Sequence, residues 1–162
     1  METNEQRLAT FYGISVLLTG FNPMELWGTG MVEPYFNVVM NQNPIPVVDA
    51  FLDTSKTIID RFGDNYEKAR DSIAELLMPD SLYEGLAQNI ITLWYMGNWG
   101  NEMVSAQSYV QGLVWDTAYA HPPGAKQPGY GSWHNPPLNA PMPTPAAQTK
   151  KKKVMPLEEA NH

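Results

Sequence analysis

The side chains able to do chemistry in this 162-residue sequence are few and scattered. Its histidines are His121, His134 and His162, and with Asp116 the first two offer an imidazole and carboxylate set of the kind that holds zinc. A metal site needs ligands pre-arranged on rigid elements with a supporting shell. Two histidines on a proline-rich stretch read instead as hydrogen-bonding surface residues. Ser105 and Ser108 lack the G-x-S-x-G elbow and a fixed base, so they read as helix caps. Asp53 with Asp60 and Asp71 with Glu75 lie at helical spacings beside Lys56, Arg61 and Arg70, which is the pattern of an exposed charged face. Acid–base work would require a buried cleft that separates two carboxyl pKa values. Gly97-x-x-Gly100 lacks the strand-turn-helix context of a phosphate loop. Met78, Met96 and Met103 read as packing filler. Without cysteine there is no disulfide, thiolate nucleophile or Cys-ligated metal. The expectation is therefore no catalytic set, no cofactor site and no metal site in this chain.

Composition sets the frame for these residues. Hydrophobic residues at 43% and charged residues at 17% suit a folded domain with a real core. A net charge of -7 argues against a nucleic-acid or anionic-membrane partner. The opening METNEQRLAT carries no apolar run and no twin arginine, so no signal peptide is expected and the chain reads as cytoplasmic when synthesised. No apolar stretch approaches the roughly 18 residues of a membrane span.

The elements that must position these side chains read as helices. Leu8, Phe11, Tyr12, Ile14, Ser15 and Leu18 mark a first helix from about Asn4, which Gly20 stops. Asn22, Pro23 and Glu25 announce the next with a capping box. It runs from Met24 to Gln42, softened by Gly28 and Gly30, with a kink or a break expected at Pro34. The glycines alternatively let another chain approach closely. NQNPIP at 41–46 reads as a loop. Val48, Phe51, Leu52, Ser55, Ile59 and Phe62 mark a third helix, ended by Gly63-Asp64-Asn65. Tyr66, Ala69, Ile73, Leu76 and Leu77 mark a fourth, stopped by Pro79. Ser81 and Glu84 form a capping box for the fifth, whose stripe is Leu82, Leu86, Ile90, Leu93 and Gly97, widened by Tyr83, Ala87, Ile91 and Trp94. This is the central helix, with Trp94 as a core candidate. A sixth begins near Ser105 with Tyr109, Val110, Leu113 and Val114 inward. No strand pattern is evident. The expected fold is all-α, an irregular bundle of about six helices followed by an extended Pro-rich C-terminal strap.

Three segments follow from this reading: a helical bundle domain over 1–120, a Pro- and aromatic-rich strap over 121–145, and a flexible tail over 146–162. Pro122, Pro123, Pro128, Pro136 and Pro137 stiffen the strap, yet it carries Tyr130, Trp133 and Leu138. Such a strap lies along a surface with pockets for its aromatics, on this bundle or on a partner. Trp99, Trp115, His121, Tyr130 and Trp133 are the candidate partner-interface residues. The lysine run Lys150–Lys153 reads as a solvated end.

Four segments, in order, carry a resemblance. They are F-Y-G-I-S-V-L-L-T-G-F at Phe11–Phe21, L-W-Y-M-G-N-W at Leu93–Trp99, S-Y-V-Q-G-L-V-W at Ser108–Trp115, and H-P-P-G followed by G-Y-G-S-W at His121–Trp133. Together they resemble the small, accessory subunit of bacterial membrane-bound FAD-dependent sugar and polyol dehydrogenases, the sorbitol, fructose and glucose dehydrogenase group. The likeness covers Leu8 to about Pro137. It implies a non-catalytic subunit that folds, stabilises and helps load FAD into a large flavoprotein of the glucose-methanol-choline oxidoreductase (GMC) type. That large subunit holds the catalytic histidine, and a haem c subunit often passes its electrons on. It further implies that the assembled complex is periplasmic where a partner carries it out. Relatives with cysteine after H-P-P-G, or with a twin-arginine signal, differ from this chain in both respects. A stand-alone helical adapter or chaperone for other proteins is the alternative reading.

Overall fold

The computed structural model of the chain describes residues 3–63 and 65–123. Tyr130, Trp133, His134, most of the strap and the whole tail lie outside the described residues. The described part is all-α: eight helices and one minute hairpin. The helices are α1 (Asn4–Thr19), α2 (Pro23–Gly28), α3 (Val32–Gln42), α4 (Ile45–Phe62), α5 (Tyr66–Leu76), α6 (Ser81–Met96), α7 (Ala106–Val110) and α8 (Leu113–Thr117). Between α6 and α7, β1 (Asn98–Trp99) pairs antiparallel with β2 (Glu102–Met103), placing Asn98 opposite Met103 and Trp99 opposite Glu102.

Local chemistry accounts for most boundaries. Thr3 and Gln6 close a capping box on α1, and Gly20 ends it in the left-handed conformation. Asn22 and Glu25 cap α2 reciprocally, with Pro23 at its first position, as the spacing predicts. The expected disruption at Pro34 is corrected. The chain breaks earlier, at Gly30, whose φ of +68° is costly for any residue with a Cβ. Pro34 then falls in the first turn of α3, where its missing N–H has no helical partner to lose. The loop expected over 41–46 is shorter, because α4 already starts at Ile45 with Pro46 in its first turn. The α6 cap is also corrected: the Asp80 carboxylate, not Ser81, accepts the Leu82 N–H at 2.9 Å. This starts the helix one residue earlier and leaves Leu82 exposed rather than on the inner stripe. Leu76 and Tyr66 likewise face outward on α5.

The core forms where α1 crosses α4 and α6. Phe11 and Ile14 of α1 meet Phe36, Phe51, Ile58 and Leu93, all buried. Gly13 makes the α1–α4 approach possible, since a Cβ there would come within 2.9 Å of Ile59 Cδ1. Ser15 and Ser55 are buried in the same layers, and each hydroxyl donates to the carbonyl four residues back, at 2.7 Å. Arg7 and Asp49 pair at 2.7 Å and tie the start of α1 to α4. Lys56 and Asp60 pair at 2.8 Å on the exposed face of α4, as the charge spacing predicts. Across α3 and α6, Tyr35 stands edge-on to Trp94 with ring centroids 4.9 Å apart. Among the described residues no helix is long and apolar enough to cross a membrane.

Candidate partner-docking surface

The end of α6 and everything after it form one aromatic assembly. Gly97 closes α6 at φ +72°, and a Cβ there would run into the Ser108 carbonyl. That close approach brings α7 against the helix end. Ser105 and Ser108 fix the contact by capping each other's backbone N–H, each bond 2.9 Å. The buried Ser108 hydroxyl also faces the carbonyls of Gly97 and Ser105, at 2.9 and 2.7 Å. Both serines are thus used as caps. Gly97 and Gly100 serve a helix end and a hairpin turn, with Gly100 at φ +58°.

Chain geometry overrides two expectations here. The single sixth helix is split into α7 and α8 at Gln111-Gly112, because Gly112 packs where a Cβ would lie 2.7 Å from the Tyr95 carbonyl. Val110 consequently points outward, while Leu113 is buried. The absence of strands is corrected by the β1–β2 hairpin, which two residues per strand could not announce by alternation.

Of the candidate interface residues, three are described. Trp99 is half-buried on β1 and lines a groove of about 310 Å³ with Val38, Glu102 and Met103. Trp115 is half-buried and pinned: its indole N–H donates to the Tyr109 carbonyl at 2.7 Å, and the two rings meet edge to face at 5.3 Å. The Trp115 carbonyl in turn accepts the Ala120 N–H at 2.9 Å. His121 follows, half-buried on irregular chain, and the Tyr109 hydroxyl donates to the Pro123 carbonyl at 3.0 Å. Tyr109 and Trp115 therefore hold the last described residues, 118–123, against α7 and α8. Tyr119 adopts φ +51°, a left-handed turn for a bulky residue, and its ring is exposed.

Sequence reasoning missed Met24 and Trp27. Both are exposed on α2, at 78% and 64%. Trp27 stands edge-on to Tyr12, whose hydroxyl donates to the Pro23 carbonyl. Beside it, Leu8, Gly30, Val32 and Glu33 complete an apolar groove of about 260 Å³. The sequence held no signal for this, because its pattern reads as one helix on to Gln42 and the short length of α2 emerges only in the fold. A helix of six residues with one buried side chain, Leu26, cannot turn positions 24 and 27 inward as well.

Among the described residues no three His, Cys, Asp or Glu side chains group to hold a metal ion. Tyr35 is a buried ionisable group, and burial pushes its phenol well above the ordinary value. The chain matches no protein-family model, no curated protein and no solved structure.

Proposed function

We propose that this chain is a non-catalytic accessory subunit. It stabilises and helps FAD-load a separate GMC-type flavoprotein that oxidises a sugar or polyol. The observation that carries the reading is the way the bundle spends its side chains. Ser105 and Ser108 are used as caps, while Met24, Trp27 and Tyr119 are large apolar groups left exposed on neighbouring elements. Exposed aromatic surface of this kind marks a protein-binding face. Three of the four resembling segments adjoin elements with exposed apolar groups: Phe11–Phe21 leads into α2, Leu93–Trp99 ends in the hairpin, and Ser108–Trp115 runs from α7 into α8. In this reading FAD and the catalytic histidine belong to the partner, a haem c subunit takes up the electrons, and the complex reaches the periplasm with its partner's signal.

Co-expression tests the proposal. A GMC-type flavoprotein that pairs with this chain should be soluble and flavin-loaded only when both are made together. The purified small chain alone should show no flavin absorbance and no dehydrogenase activity. A large chain that folds, binds FAD and turns over normally by itself would overturn the accessory role. The second reading, a stand-alone adapter, draws on the same exposed face. It predicts a purified chain that stays monomeric and soluble and has no flavoprotein neighbour.

A further inference from the structure

Charge is divided unevenly over this bundle. From residue 3 to residue 123 the basic side chains are Arg7, Lys56, Arg61, Lys68 and Arg70. Arg7 is held by Asp49, and the other four belong to α4 and α5. On α2, α3, α6, the hairpin, α7 and α8 there is no lysine or arginine, but Glu25, Glu33, Glu84, Glu102 and Asp116 are present. The grooves divide in the same way. Those beside α5 are lined by Arg61 and Lys68, or by Arg70. On either side of the 27–30 turn lie two grooves with carboxylates and no base. One, of about 260 Å³, sets Glu33 against Trp27, Leu8 and Val32. The other, of about 480 Å³, sets Glu25 and Asp116 against Phe21 and Tyr119.

We infer that these two grooves form one docking face for a partner protein segment carrying arginine or lysine beside apolar anchors. The inference rests on the proposed binding role and adds the chemistry of what is bound. An apolar side chain entering beside Trp27 would cover surface now in water. A cation one or two residues away would meet Asp116 and Glu25 across the turn. Among the described residues no lysine or arginine lines either groove, and steering by a one-signed field favours basic segments over acidic ones. The bidentate reach of a guanidinium favours arginine at the wider groove, where two carboxylates line one opening. Glu25 also caps Asn22, so a cation there has to share that carboxylate.

The test uses the full-length chain and two synthetic peptides of identical length. One carries two arginines flanking a Trp-Leu pair, and the other carries two glutamates in their place. Binding is read by fluorescence anisotropy at low and at raised salt. The arginine peptide should bind and weaken as salt rises, and the glutamate peptide should not bind. Trp27→Ala, and separately the double change Glu33→Lys with Asp116→Lys, should each weaken the arginine peptide at least tenfold. Asp53→Lys with Asp71→Lys makes the same change in net charge on α4 and α5, and should leave binding within twofold. Unchanged circular dichroism of each variant keeps folding out of the comparison. Equal losses in both charge-reversed variants would mean attraction to net charge alone and would overturn the inference. So would binding of the glutamate peptide, or no binding of either. Self-association that Trp27→Ala abolishes, or stronger peptide binding after Lys150–Lys153 are replaced by serine, would assign the face to this chain itself, with the same consequence. The co-expression result stands apart from these outcomes, because an accessory subunit can hold its flavoprotein through another surface.

Discussion

Trp94 shows what a single residue does here. Its indole is fully buried between α3 and α6, and among the described residues its N–H has no hydrogen-bond acceptor. Trp94→Ala should cost about 3–5 kcal/mol, the usual loss for truncating a large buried aromatic. Trp94→Phe should cost less than the alanine change, because it also removes a buried donor that makes no hydrogen bond. Urea denaturation of the three proteins checks the order, and a Trp94→Ala variant as stable as the parent would contradict a core role. Tyr35, against which Trp94 stands, supplies a pH signature. Its phenol is neutral in the fold and its pKa is raised by burial. A raised folded pKa means that the native state binds more protons than the unfolded chain above about pH 10, the ordinary phenol value. Stability from this group is therefore complete below that pH and falls as pH rises through the folded value. Tyr35→Phe should flatten the alkaline limb of the stability–pH curve. At neutral pH it should change stability by no more than about 1 kcal/mol, because its 3.5 Å contact with the Ser108 carbonyl is a weak hydrogen bond. An unchanged alkaline limb would show that other groups set it.

At the scale of elements, the connections carry more information than the helices. The α2–α3 break belongs to Gly30 and not to Pro34, which yields two opposite expectations. Gly30→Ala should destabilise by about 1–2 kcal/mol, the cost of forcing an L-residue into the left-handed region. Pro34→Ala should fall within about 0.5 kcal/mol of the parent, as surface changes at non-critical positions do. Reversal of that order in thermal or urea melts would return the break to the proline. Gly97→Ala should be costlier than Gly30→Ala. It adds a collision with the Ser108 backbone to the same left-handed strain, whereas a Cβ at Gly30 meets no closer atom than Gln107 Nε2 at 3.9 Å. Here the loss should exceed about 2 kcal/mol, and it should be accompanied by loss of the near-ultraviolet signal from the Tyr109–Trp115 pair.

For the molecule as a whole, α1 is the hub, packed against α2, α3, α4, α5 and α6. A chain so connected should melt as one unit, with secondary structure and aromatic packing lost together. Far- and near-ultraviolet circular dichroism should give coincident transitions, and two separated steps would divide the bundle. The same architecture explains the two-faced surface. Helices α4 and α5 carry mixed charge and an i,i+4 ion pair, and suit water. Helix α2, the hairpin and α8 with the residues after it combine acid with exposed Met24, Trp27, Met103 and Tyr119. That pairing of charge and apolar surface is what the docking proposals draw upon.

Helix type and most helix ends were legible in the sequence because they depend on neighbours within four residues. The Asn22–Glu25 box, the stop at Gly20 and the stripe Leu86, Ile90, Leu93 of α6 are local patterns that packing left in place. Where two local signals competed, backbone conformation and cap geometry chose between them. Gly30 prevailed over Pro34 because it takes the left-handed conformation just before α3, and Asp80 displaced Ser81 because its carboxylate reaches the unpaired Leu82 N–H in the first turn of α6. The hairpin and the split of α7 from α8 were beyond periodicity, since elements of two to five residues are too short to repeat a period of 2 or 3.6. They follow instead from the approach of Ser108 to Gly97 and of Gly112 to Tyr95, contacts between positions more than ten residues apart. Trp115 and Trp27 show the same division at the candidate surface. Their identity marks both as large and amphipathic, but composition cannot say which is spent inside. Only the folded chain turns Trp115 onto the Tyr109 carbonyl and leaves Trp27 facing water, because α2 is too short to bury more than Leu26.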